Sequence, residues 1–580
     1  MSRISEKKNF SKMNIAFIAI ILIQMICLVL TFVTQKTANH EDEFFSYALS
    51  NSYYRPFIYG SAHQVRDNIN VWMTGDDFKY YIETNENTRF HYDSVWANQT
   101  ADVHPPLYYA VLHTICSFFP NHFSWWWAFS INLICFAVTQ FFLYKFINRL
   151  MGAEFPGLLA CAYYGFSLAG QECALFIRMY MMLAMFAVMF VYISQTILIA
   201  KDKVEVKQYI YIGIVTFLGA LTHHHFLVFA FMYTLIQCII LLIKKRIKRC
   251  FAYGGSAGVG VGLSIAAFPA TIGHMMNSDS LIWTPDAADL KIQLYQYIRI
   301  LINHTTGIWL PFYEMNYYAD ILFVLFCVLV IFAAVCFLYR RSQWFTKLSG
   351  WFKGLCKKTA QWLKTCDLSA LMVIAASAFV LIVVAYKVNI MNFALESVRY
   401  FFIFIPVLIG VVVSLLYIIS KRVSKKICLP ILSVLLAGLL VFQNATNSLS
   451  FVMQNDPLNG KIQDYIKGQN CVVLELSGIF MPCYSIMLSE TKNDFMTLTY
   501  GREFEKHEDE YKKLYENGED FYLLFDIQYI SEESGPKTMS YSDIVGYFED
   551  ISGYKATFCT EEYTHYFPVR LYKFEKQAEN

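Results

Sequence analysis

The chain has 580 residues, of which 56% are hydrophobic and only 16% charged, whereas a soluble domain carries about a quarter charged residues. Its formal net charge of +2 leaves no basic field that would mark a nucleic-acid partner. The 15 cysteines fall mostly within apolar runs, where they behave as small hydrophobes, and Cys471, Cys483 and Cys559 have no metal-binding spacing.

The missing charge is concentrated in apolar runs of about 18–25 residues, each long enough to cross a bilayer core. Spans are expected at 14–34, 124–144, 153–171, 177–200, 208–224, 226–243, 252–272, 319–339, 369–388, 399–419 and 427–444. The fold class is therefore an α-helical polytopic membrane protein with about 11 transmembrane helices and a small extracytoplasmic α/β domain at its C-terminal end. The first run follows Arg3, Lys7, Lys8 and Lys12, is long and lacks a small-residue cleavage site, so it reads as a retained signal-anchor. With the N-terminus inside, the basic clusters Lys145/Arg149, Lys201–Lys207, Lys244–Arg249, Arg340–Lys364 and Lys421–Lys426 all fall in cytoplasmic loops. Pro105–Phe119 would invert that pattern if it crossed. It is read as a helix started by Pro-Pro and lying in the outer interface, with a span as the alternative.

This threading leaves three outer segments: the first loop, Gln35–His104; Gly273–Tyr318; and the tail from Ala445. The domains are thus a membrane-embedded module at 1–444, containing the loop 35–104, and an extracytoplasmic α/β domain at 445–580. In the tail, strand-like runs Cys471–Leu476, Phe521–Asp526 and Val569–Phe574 alternate with charged helical stretches such as Glu503–Glu516.

Residues able to carry chemistry gather on the outer face. His40-Glu41-Asp42-Glu43 follows the first span. These carboxylates serve as a solvated helix cap, or as a base toward a hydroxyl or ligands for a divalent cation. Asp102-Val103-His104-Pro105-Pro106-Leu107 closes the loop, with Asp102 as a cap and His104 as a titratable neighbour. Glu172 and Arg178 flank the outer ends of two spans, as an ion pair or as ligands. His223-His224-His225 reads as an interfacial helix end, since successive helical side chains point about 100° apart. Glu396-Ser397-Val398-Arg399-Tyr400 opens a late span, where Arg399 is an interfacial anchor or a phosphate ligand. There is no Walker A or Rossmann fingerprint.

Asp42-Glu43 after the first helix, the HPPL element at His104–Leu107, Arg178-Met179-Tyr180 and Arg399-Tyr400 together resemble the C-type membrane glycosyltransferases. The likeness is to bacterial relatives of the protein O-mannosyltransferases (glycosyltransferase family 39) and to the lipid A aminoarabinose transferase, over roughly the first 420 residues. In the mannosyltransferases Gly-Lys follows HPPL, where this chain has Tyr108-Tyr109. The resemblance implies a cell-envelope enzyme of a bacterial cytoplasmic membrane, using a polyprenyl-phosphate sugar and a lipid, glycan or protein acceptor. It implies Asp42 and Glu43 as catalytic residues, Arg399 and Arg178 as ligands of the donor phosphate, and Asp102, His104, Tyr400 and Glu172 as site-lining groups, with a divalent cation as an optional cofactor. A carboxylate base and arginines facing a phosphate leaving group suit inverting transfer to a hydroxyl. The competing class is a transporter or flippase of a lipid-linked or small polar substrate, which would place charges near the bilayer midplane and show internal repeats.

Overall fold

A computed structural model describes residues 12–36, 39–58, 69–201, 203–276, 287–308, 367–388, 396–424, 426, 428–445, 452, 461–475, 480–526, 540–563 and 568–576. Two compact bodies emerge, one made of residues 1–25, 134–173 and 180–449, the other of 26–133, 174–179 and 450–580.

The first body is helical. Seven of the described helices are long and apolar enough to cross a membrane: Met13–Thr34, Trp125–Met151, Tyr180–Ile199, His224–Ile243, Ile247–Ala267, Ser369–Lys387 and Cys428–Ala445. Their outer faces carry large bare side chains, with Phe251 73% and Val434 71% exposed. In water that would be a liability, but in lipid it is the requirement, because backbone polar groups close on themselves within each helix and side chains meet hydrocarbon. Some of the polar side chains left inside bond one another. Gln140 Nε2 donates to Gln24 Oε1 at 2.9 Å, and Gln24 Nε2 donates to the Cys161 carbonyl at 3.0 Å.

Three expected spans are interrupted. The run at 153–171 divides into Glu154–Phe166 and Leu168–Leu175, because Ser167 takes an extended backbone and its hydroxyl bonds the Tyr164 carbonyl. The run at 252–272 ends at Ala267 and restarts at Ala270, since Pro269 keeps Phe268 out of the helical region. The run at 399–419 begins as a tight 3₁₀ turn, Glu396–Phe401, before the helix Ile405–Ser424. The expected span 319–339 and the basic cluster Arg340–Lys364 lie outside the described residues. Leu107–Phe118 is a helix of 12 residues, about 18 Å long, too short to cross a core of about 30 Å.

The second body is built on a six-stranded sheet. Its strands are β1 (Trp72–Met73), β2 (Asn470–Glu475), β3 (Asn493–Leu498), β4 (Phe521–Asp526), β5 (Lys555–Tyr563) and β6 (Pro568–Glu575), in the order β1-β3-β2-β4-β6-β5. β2 runs parallel to β3 and β4, and the outer pairs are antiparallel. β2 and β4 are buried on both faces, as central parallel strands are. One face packs Val472, Leu474, Leu523 and Phe525 against Phe504, Tyr511, Ile544 and Phe548.

The sheet is not made by the tail alone. β1 comes from the first loop and pairs with β3, Trp72 opposite Phe495. Trp72 Nε1 donates to Glu510 Oε2 at 2.8 Å, across 438 residues of sequence. Gly75 follows, where an added Cβ would stand 2.7 Å from the Thr491 carbonyl oxygen and 2.8 Å from its nitrogen. Only glycine permits that approach of backbone to backbone.

Candidate active site

The helix Glu41–Asn51 carries the acidic run. His40 caps it by accepting from the Asp42 amide at Nδ1, and Glu43 returns a bond to the His40 amide, forming a reciprocal capping box. Glu41, Asp42 and Glu43 fill the first turn, where the helix dipole favours negative charge.

The two adjacent carboxylates have opposite surroundings. Asp42 is 24% exposed and faces Arg178, whose Nη2 lies 3.6 Å from Asp42 Oδ1. Glu43 is fully buried, and both its oxygens are engaged. Lys36 Nζ stands 2.7 Å from each, the Ile177 amide donates to Oε1 at 2.7 Å and the His40 amide to Oε2 at 2.9 Å. Burial lowers the Lys36 ammonium pKa below its usual value, with Glu43 opposing the shift.

Arg178 sits on a tight turn between two helices, with its amide bonded to the Phe176 carbonyl. Asn132 Nδ2 donates to the carbonyls of Ala174 and Phe176, and Ser46 Oγ donates to that of Ile177. So fixed, Arg178 Nη1 donates to the Tyr109 hydroxyl at 3.0 Å. Tyr109 belongs to the helix that follows Pro105-Pro106, so this helix, with the acidic one, brings the two ends of the first loop together.

His104 Nδ1 lies 2.8 Å from Asp102 Oδ2. Burial pushes the Asp102 carboxyl up, but His104 and Arg178 outweigh it and hold the group below the ordinary carboxylate range. Arg178 thus faces Asp42 and also acts electrostatically on Asp102. The tail's 3₁₀ turn Met481–Tyr484 packs against the acidic helix. Burial, with Glu41, Glu475 and Asp42, pushes the Cys483 thiol well above its usual value. Among the described residues no group of three or more His, Cys, Asp or Glu side chains is arranged to hold a metal ion.

Arg399, Tyr400 and Glu172 belong to the first body. The Arg399 guanidinium lies 5.4 Å from the Tyr400 ring, Tyr400 lies 5.8 Å from the His225 ring, and His223 packs on Tyr180 at 5.5 Å. The histidine triplet, expected as a solvated helix end, therefore packs among aromatic rings beside Tyr400. His223 also caps its helix by accepting from the His225 amide. Glu172 is fully buried, with Oε2 3.3 Å from His304 Nε2. His304 Nδ1 is 2.9 Å from the Ile300 carbonyl. A carbonyl only accepts, so Nδ1 carries a proton, and Nε2 is the nitrogen turned toward Glu172. Burial lowers the His304 pKa to about 4.

Sequence reasoning did not find Lys36, Tyr109, Asn132 or His304. Lys36 is a lone cation after a span and Tyr109 one tyrosine among 40; only their partners give them roles.

No protein-family model matches the chain, and no curated protein matches it. Among solved structures, ArnT from Cupriavidus metallidurans in its apo state aligns over 96% of this chain and 97% of its own, at 8% identity and a TM-score of 0.49. The Archaeoglobus fulgidus oligosaccharyltransferase tethered to an acceptor peptide aligns over 90% and 70%, at 10% identity and a TM-score of 0.44. The same organism's AglB, bound to an inhibitory peptide and a dolichol-phosphate, aligns over 88% and 69%, at 10% identity and a TM-score of 0.42.

Proposed function

We propose that the chain is a membrane glycosyltransferase that moves a sugar from a polyprenyl-phosphate donor to an acceptor hydroxyl, with inversion, on the extracytoplasmic side. The observation that carries this reading is the Asp42 carboxylate. It stands partly open at the exit of an apolar helix, 3.6 Å from Arg178, and the same arginine helps hold the Asp102 carboxyl, paired with His104, below its ordinary range.

In this reading Asp42 takes the proton from the acceptor hydroxyl as that oxygen attacks the sugar's anomeric carbon. The bond from that carbon to the phosphate oxygen breaks, and the polyprenyl phosphate leaves with the electron pair. Arg399, with Arg178 as the alternative, meets the phosphate. A planar guanidinium suits two phosphate oxygens at once, and its help grows as charge builds on the leaving group. The tail lies against the acidic helix and is assigned to acceptor choice or access. The exposed apolar helices suit a lipid-borne donor.

The test is incubation of the purified protein with labelled polyprenyl-phosphate sugars and a membrane extract as acceptor source, followed by identification of the labelled product and its anomeric configuration. Transfer with inversion is expected. Transport of the labelled lipid across a vesicle bilayer without any product would replace this reading with the transporter one.

A further inference from the structure

Glu43 is adjacent to the proposed base, yet its geometry is that of a fastener. Four contacts use its two oxygens, and they come from three directions: Lys36 just beyond the first apolar helix, His40 at the cap, and Ile177 134 residues away. The next residue after Ile177 is Arg178. The Glu43–Ile177 bond and the Ser46–Ile177 bond hold the amide and the carbonyl of one residue against one helix. Asn132 holds the carbonyls of Ala174 and Phe176 from another. With the backbone so fixed, the direction of the Arg178 side chain follows.

We propose that Glu43 is a positioning residue. It sets the Arg178 guanidinium against Asp42 by holding the backbone of the 174–179 turn, with Lys36 as the counter-charge that keeps Glu43 in place. The inference rests on the reading of Asp42 as the base and changes the part played by its neighbour. Glu43 has no oxygen left with which to take a proton from an acceptor, and a buried carboxylate in such a network costs much to break. A shift of about 1 Å in a positioned group is enough to cost roughly 10²-fold in rate.

The experiment uses the full-length protein in detergent, with labelled polyprenyl-phosphate sugar as the probe and turnover expressed per folded molecule. Glu43→Ala should lower kcat/KM by about 10²-fold, the cost of misplacing Arg178. Glu43→Gln keeps an acceptor for the Ile177 amide but strands the Lys36 charge, so it should be impaired as well. Lys36→Met combined with Glu43→Gln removes the stranded charge and should recover most of the loss. If the double variant is as inactive as Asp42→Asn, Glu43 takes part in the chemistry directly and the proposal falls.

A cycle with Arg178→Ala separates positioning from mere stabilisation. In that background Glu43→Ala should cost little further turnover, because the group it aims is gone. Additive losses would overturn the proposal. Should the wild-type protein move no sugar, the glycosyltransferase reading fails by itself. The positioning claim is then read from thermal melting of the same four proteins, where coupling between Glu43 and Arg178 is expected and strict additivity would overturn it.

Discussion

Two carboxylates in this chain each face a basic side chain within 4 Å, and their surroundings are opposite. Asp42 meets Arg178 at 3.6 Å and remains 24% exposed. Glu172 meets His304 at 3.3 Å with both side chains sealed. An open carboxylate beside a permanent cation stays ionised and can accept a proton from an incoming group. A sealed carboxyl opposite a sealed imidazole is out of reach of any incoming group. By sequence resemblance Asp42 takes the part of a catalytic residue and Glu172 that of a site-lining group; solvent access separates them further, with Asp42 open and Glu172 sealed.

One substitution applied to both sites tests that contrast. Exchanging the carboxylate for its amide at Asp42 removes the acceptor, so Asp42→Asn should lower turnover by about 10²–10⁴-fold, the usual worth of general-base catalysis. The same exchange at Glu172 keeps the size and polarity of a side chain that no incoming group reaches. Glu172→Gln should therefore fold, insert and retain most of its turnover. Glu172→Leu strands a buried imidazole nitrogen and should lower stability by about 1–3 kcal/mol. Turnover and thermal melting of the three variants decide the matter. Full activity in Asp42→Asn, or collapse of Glu172→Gln, would reverse the two roles.

The arginines come next in size. Lysine lacks the planar fork, so Arg399→Lys and Arg178→Lys should each lose both donor affinity and turnover, by roughly tenfold or more if one bidentate contact of about 1.5–3 kcal/mol is weakened. Unchanged kinetics in both variants would make them membrane anchors, with no part in the open site.

How much of this could be read beforehand depends on how local each signal was. The seven long helices announce themselves because lipid demands uninterrupted apolar runs. β2 and β4 were legible for a related reason: buried on both faces, they read as continuous hydrophobic stretches, and β4 coincides with the expected Phe521–Asp526. β3 begins Asn493-Asp494 and carries no such signal, and β5 is polar and bulged between Phe558 and Thr560. β1 has only two residues, and its partner strand lies over 400 positions away, so no window of sequence contains the reason for it. The acidic cap at Asp42 was legible from its order of residues. The Lys36–Glu43–Ile177 network was not, because a hydrogen bond to a backbone amide leaves no mark on the identity of the residue that donates it.

The joining of the first loop to the tail makes a smaller, structural prediction. Gly75→Val would drive a side chain into the Thr491 backbone, whose oxygen lies 2.7 Å from the Cβ position. Neither wall is a movable side chain, so β1 must part from β3. A loss of about 1–3 kcal/mol is expected, as for other overpacking changes, seen as a lower melting temperature with reduced turnover. Unaltered melting would mean that the loop holds its shape without the tail.

The smallest effect is a pH dependence at Asp102. Its folded pKa is depressed, because His104 and Arg178 outweigh burial. A depressed carboxyl contributes stability that is fully present above its unfolded pKa of about 3.9 and disappears as pH falls through the lower folded value. Near neutrality the contribution is constant, so the melting temperatures of wild type and Asp102→Asn should differ by a fixed amount there. Between about pH 4 and the folded pKa the wild type should lose that advantage, because a protonated Asp102 resembles the amide. The two melting curves should therefore converge on acidification. Parallel curves down to the acid limit would mean that Asp102 exchanges no net interaction with His104 and Arg178 on folding. The open site would then be held by Arg178 and Asp42 without help from the HPPL end of the loop.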